Sequence, residues 1–123
     1  MSRAGRDRIK QRFYRKFKIP GIVGAIDGTH VRIIRPSVQE HRYFNRKGYH
    51  SLNVMIICDS DLRILCVDPS HPGSTHDNLA WRTHPLNRYL NDRYDEEHLS
   101  LLGDSGYALR RTLITPPTNT QPG

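Results

Sequence analysis

Between Ile22 and Leu102 the apolar residues fall into short runs in a set order, and that order leaves few folds open to the chain. Two β-prone runs come first, Ile22 to Ile26 and His30 to Ile34, interrupted only by Asp27-Gly28. One bent strand or a hairpin would satisfy them equally. Leu52 to Cys58 is almost continuously apolar, and Leu62 to Val67 follows after Asp59-Ser60-Asp61, which predicts an antiparallel hairpin. After Pro69-Ser-His-Pro-Gly73 the spacing switches to helical. Ser74 or Thr75 is the expected N-cap, Asp77 sits in the first turn, and Leu79, Ala80, Trp81, Leu86, Tyr89 and Leu90 form the buried stripe. Pro85 should kink or split this helix. The acidic stretch Asp92 to Glu97 reads as a connector, Leu99 to Leu102 as a short buried strand, and Leu109 to Ile114 as a turn and a last strand.

A chain of 123 residues fits one domain. Its hydrophobic fraction of 36% is low for a compact unit, which points to polar ends or to a core completed by other sequence or by a partner. The expected division is a basic, partly helical lead-in over 1–18, ended by Pro20 and Gly21, a folded unit over 19–116, and a disordered tail over 117–123.

The formal charge of +7 favours a polyanionic partner, because Lys and Arg gain affinity by releasing counterions from a phosphate backbone. Arg3, Arg6, Arg8, Lys10, Arg12, Arg15, Lys16 and Lys18 crowd the first segment against Asp7 alone, as either a phosphate-facing arm or a solvated tail. Cys58 and Cys66 match neither a zinc nor a disulfide spacing and read as strand residues in a reducing compartment. No run approaches the roughly 20 apolar residues of a membrane span, and the N-terminus has no apolar leader core, so no membrane partner is expected.

Asp27 and Asp104 each end an apolar run, where rigid strand backbone holds a carboxylate at an edge open to solvent. Each also has a local explanation as turn chemistry, in Asp27-Gly28 and in Gly103-Asp-Ser-Gly106. The order of elements favours the first account. Three antiparallel strands, a helix and a parallel strand beside the first would set the two carboxylates side by side, as in ribonuclease H-like folds. Between them, Tyr43, Phe44 and Tyr49 alternate with His41, Arg42, Arg46 and Lys47, a composition that either stacks on bases or anchors a surface loop. His30, His50 and His76 either line the site or simply pack.

Five segments in order resemble one family: Ile19-Pro-Gly-Ile-Val-Gly-Ala-Ile-Asp-Gly-Thr-His-Val31, Tyr43-Phe-Asn-Arg-Lys-Gly-Tyr-His-Ser-Leu-Asn53, Pro72-Gly-Ser-Thr-His-Asp77, Leu101-Leu-Gly-Asp-Ser-Gly-Tyr107 and Thr115-Pro116. They are similar to the DDE domain of PIF/Harbinger-type transposases and the nucleases domesticated from them. The resemblance implies an α/β, ribonuclease H-like mixed sheet flanked by helices, incomplete at both ends. It implies that Asp27 and Asp104 are the first two acids of an Asp-Asp-Glu triad holding two Mg2+ or Mn2+ ions for in-line cleavage of DNA phosphodiesters. Asp77, in the family's His-Asp motif, is a further metal candidate, although its place in a first helical turn is explained equally by the helix dipole.

The third acid of such a triad is a helical glutamate well beyond the second aspartate, so this chain is expected to be truncated before it. Glu96 and Glu97 match no such position. The resemblance further implies DNA as partner, a Myb-like protein as a targeting partner, and a nuclear location that extends to the cytoplasm. The rival expectation is a noncatalytic DNA- or protein-binding remnant of a domesticated transposase, for which DNA binding would be salt-sensitive and independent of metal.

Overall fold

The computed structural model describes residues 2–104, 107 and 110–115. The expected tail over 117–123 and the start of the expected last element at Leu109 lie outside them. A basic helix α1 (Arg3–Phe17) leads into β1 (Ile22–Arg32), a short 3-10 turn (Glu40–Tyr43), β2 (Ser51–Cys58) and β3 (Ile64–Pro72). Two helices follow, α2 (Asp77–Arg82) and α3 (Pro85–Glu97), and then β4 (Ser100–Leu102) and β5 (Leu113–Ile114). The five strands form one mixed sheet in the order β3-β2-β1-β4-β5. β1, β2 and β3 are antiparallel neighbours, while β4 runs parallel to β1 and β5 parallel to β4. This is the α/β mixed sheet flanked by helices that the sequence implied.

β1 is a single continuous strand. Asp27 pairs with Ile56 and Gly28 with Met55 in unbroken register, and neither Asp27 nor Gly28 has the positive φ that a type I′ turn requires. The turn account of Asp27-Gly28 therefore fails, because a long neighbouring strand supplies partners on both sides of it. The predicted hairpin is present. Its turn is closed by Leu62 N–H donating to the Asp59 carbonyl at 3.1 Å, with the Asp59 carboxylate accepting from the amides of Asp61 and Arg63 at 2.9 Å. Leu62 belongs to this turn, with φ 65°, rather than to the strand.

Three other boundaries differ from expectation. β3 continues through Pro69 to Pro72, which a position on the sheet's edge permits, since a prolyl nitrogen there interrupts no inner ladder. As expected, by contrast, the helix splits at Pro85, which becomes the first residue of α3 with His84 as N-cap, its Nδ1 accepting from Leu86 N–H. The N-cap of α2 is His76, not Ser74 or Thr75. The acidic stretch Asp92 to Glu97 forms the last turns of α3 instead of a connector.

Glu97 explains that extension. It is buried against α1, where the Arg6 guanidinium donates to both its carboxylate oxygens at 2.9 and 3.0 Å and to the Tyr89 hydroxyl at 3.0 Å. Lys10 Nζ donates to the Glu97 carbonyl, and Phe13 is buried in the same layer. α1 is thus docked on the domain through its own basic residues, neither a free arm nor a solvated tail. The main core gathers Val23, Ile26, Met55, Ile57, Trp81, Leu90, Leu99, Leu101, Tyr107 and Leu113. Each large apolar side chain among them contributes on the order of 1.5–3 kcal/mol by burial. Cys58 and Cys66 are free, partly buried strand residues, and burial pushes the Cys66 thiol up.

Candidate metal and nucleic-acid site

The parallel register of β1 and β4 decides where the two aspartates go. Ala25 pairs with Leu102, so Asp27 and Asp104 each lie two residues beyond the same rung, on strands that neighbour each other. Their side chains interact through space. Partial desolvation by its neighbours, although the residue remains exposed, is the main cause that raises the Asp27 carboxyl above its usual range, partly offset by its hydrogen bond from Gly28 N–H at 2.9 Å, and the negative charges of Asp104 and Asp77 raise it further. The Tyr107 phenol in the core beneath is raised chiefly by burial and then by Asp77, Asp27 and Asp104. Three carboxylates thus share one electrostatic neighbourhood just beyond the parallel ladder of β1 and β4.

Asp77 reaches this neighbourhood from the first turn of α2. The Asn53 amide on β2 donates to Asp77 Oδ1 at 2.8 Å and to the Thr75 carbonyl at 2.9 Å. Asn53 is 3% exposed in a mostly apolar strand, a placement that requires a hydrogen-bond partner. Gly28 provides the space for Asp77. A Cβ on Gly28 would lie 2.3 Å from Asp77 Oδ1, so only a glycine lets the carboxylate sit against β1.

Beside Asp77 opens a cleft of about 580 Å³, bounded by the segment Phe44 to Lys47 on one side and by Gly73 to Asn78 on the other. Buried polar residues build its floor. Ser51 Oγ takes the Asn45 amide at 2.9 Å and lies 2.8 Å from His30 Nδ1, and Asn45 Oδ1 accepts from Lys47 N–H at 2.9 Å. Arg46 Nη2 bridges the cleft to His76 Nδ1 at 2.6 Å.

Of the residues singled out in the sequence, Asp27, Asp104 and Asp77 fall within electrostatic reach of one another, and His30, His76, Arg46 and Lys47 line the adjoining cleft. His50 instead pairs with Glu40, Arg42 donates to Gln39, and the Tyr49 ring lies under Arg32 at 4.0 Å. Asn45, Ser51, Asn53 and Gly28 were not singled out for the site. The detectable signal was Asn53 and Ser51, polar residues in an apolar strand.

The donor set suits a hard divalent cation such as Mg2+ or Mn2+, since it consists of carboxylate oxygens whose mutual repulsion a cation would relieve. Among the described residues, however, no three His, Cys, Asp or Glu side chains close up into a ready metal-binding group. The fit is that of two or three acids awaiting closure.

A mixed sheet in which acids lie just beyond the last paired rung of two neighbouring parallel strands, the first of them also the inner strand of an antiparallel β1-β2-β3 meander, has the arrangement of a ribonuclease H-like domain. The family model described as DDE superfamily endonuclease matches residues 26–123, and the chain belongs to that family. It is 38% identical over 108 residues to the Bos taurus protein named "Putative nuclease HARBI1" and 35% identical over 108 residues to the Homo sapiens protein of that name, in both cases over 88% of this chain and 31% of the relative. It is also 28% identical over 124 residues to the Arabidopsis thaliana "Protein ALP1-like", over 89% of this chain and 30% of that relative. The chain spans about a third of the length of these curated relatives. No solved structure matches it. No described helix is long and apolar enough to cross a membrane.

Proposed function

We propose that this chain supplies the first two acids, Asp27 and Asp104, of a metal-dependent nuclease site that cleaves DNA phosphodiesters, with Asp77 as a bordering carboxylate that joins them in holding Mg2+ or Mn2+. The observation that carries the reading is the shared electrostatic neighbourhood of three acids just beyond the parallel ladder of β1 and β4. When bound, a divalent cation there supplies positive charge to the phosphate oxygens and lowers the pKa of the attacking oxygen, whether water or a 3′-hydroxyl. The chain's own part is positional. β1 and β4 hold Asp27 and Asp104 at one level, Gly28 and Asn53 fix Asp77, and Arg46 and Lys47 attract the DNA backbone from the adjoining cleft. In this reading a third acid completes the two-metal arrangement. The natural setting of such a domain is the nucleus, with some cytoplasmic pool, and a Myb-like partner would supply targeting.

The purified chain is expected to nick supercoiled plasmid in Mn2+, with nicking abolished in Asp27→Ala and Asp104→Ala. Nicking by both variants at the parent rate would remove these residues from the mechanism. A second reading is a noncatalytic DNA-binding remnant, in which Arg46 and Lys47 of the cleft hold the phosphate backbone without metal. That reading requires salt-sensitive DNA binding, unchanged by chelation, and no cleavage in any divalent metal.

A further inference from the structure

We propose that the cleft beside Asp77 is a subsite for a single unpaired nucleotide next to the scissile phosphodiester, its base against Phe44 and its phosphate on Arg46 and Lys47. The inference rests on the DNA-directed reading above and specifies the form of the substrate. Its volume of about 580 Å³ falls in the roughly 300–1,000 Å³ range of sites that enclose one small ligand. A duplex is instead held across an extended surface of on the order of 1,000 Å² or more. The wall is also chemically divided as a nucleotide is. Phe44 presents an apolar ring 46% exposed at the rim, where a base can stack, and the next two cations along the chain are Arg46 and Lys47.

The segment is rigidly held, which lowers the cost of ordering it on binding. Asn45 N–H donates to the Tyr49 carbonyl at 2.9 Å and Gly48 N–H to the Asn45 carbonyl at 3.1 Å, while Gly48 takes φ 89° to close the turn. Behind the ring, His50 meets Phe44 edge to face at 5.2 Å and is itself held by Glu40. Arg46 spends one N–H on His76, and a guanidinium has five donors, so a phosphate can be bound without opening that bridge. Asp77 also faces the cleft, with Oδ1 engaged by Asn53, and links the subsite to the acidic cluster.

The test is fluorescence anisotropy of the full chain with a labelled duplex carrying one extrahelical 2-aminopurine, compared with the same duplex fully paired. Both are read in EDTA, so a failure of the nuclease reading leaves the result interpretable. The bulged duplex is expected to bind more tightly, with its 2-aminopurine emission quenched by stacking. Phe44→Ala should reduce that preference by about 5- to 100-fold, while Phe44→Trp retains it and paired-duplex binding stays unchanged. Equal affinity for the two duplexes, or an unquenched 2-aminopurine in the parent complex, overturns the proposal whether or not Phe44→Ala folds. An undiminished preference in a folded Phe44→Ala protein overturns it as well.

Discussion

Replacing Gly28 by Ala tests whether Asp77 is truly pressed against β1. At an extended strand position the exchange is ordinarily favourable by about 0.5–1 kcal/mol, because alanine loses less backbone freedom on folding. Here the added carbon would lie 2.3, 2.7 and 2.8 Å from Oδ1, Cγ and Oδ2 of Asp77, well inside the roughly 3.5–4.0 Å of normal carbon contact. Asp77 can retreat only by leaving Asn53 Nδ2, a bond to a charged group worth about 1.5–3 kcal/mol. The net effect is a loss of about 1–2 kcal/mol, a fall in Tm of several degrees for a domain of this size. Thermal and urea denaturation followed by circular dichroism measure it. In an Asp77→Ala background the same Gly28→Ala exchange should become neutral or stabilising, a coupling of about 1–2 kcal/mol between the two positions. A Gly28→Ala protein as stable as the parent, or an identical penalty in both backgrounds, would refute the packing of Asp77 on the strand.

Two further outcomes concern pH. Because the folded Asp27 carboxyl titrates above its unfolded value of 3.8, the native state binds the proton more tightly, and stability is lost as pH rises from there through the raised value. Asp27→Asn should therefore be more stable than the parent at neutral pH, by no more than about 1 kcal/mol given solvent screening at an exposed site, and should lack that descending limb in denaturation at stepped pH. Glu97 behaves oppositely. The Arg6 guanidinium holds it below its usual range of 4.5, so its stabilisation is present above that value and fades as pH falls through the lowered one. Glu97→Gln should lower Tm by several degrees at pH 7 and flatten the acid limb of the Tm profile.

The sequence made the succession of strands legible because each apolar run is bounded by polar or turn-forming residues, and the parallel placement of β4 beside β1 followed from that succession. What it concealed depends on contacts made at long range. Asp27-Gly28 has the local composition of a turn, and only the ladder to Ile56 and Met55 shows it to be strand interior. Asp92 to Glu97 looks too polar to finish a helix, until Arg6, 91 residues earlier, buries Glu97. Pro69 reads as a strand breaker unless β3 is known to be an edge. For the site, Asp27 and Asp104 stood out as acids at the ends of apolar runs. The support for Asp77 did not, because Asn53 and Gly28 acquire that role only when α2 folds back over β1 and β2.

The central claim is that Asp27 and Asp104 bind one divalent ion between them, and anomalous scattering from crystals of this chain equilibrated with Mn2+ tests it most directly. The account predicts a manganese peak just beyond the parallel ladder of β1 and β4, with a carboxylate oxygen of each residue at about 2.1–2.2 Å from it, lost in Asp27→Asn. Manganese absent at saturating concentration, or bound elsewhere with Asp27 and Asp104 turned apart, would contradict it.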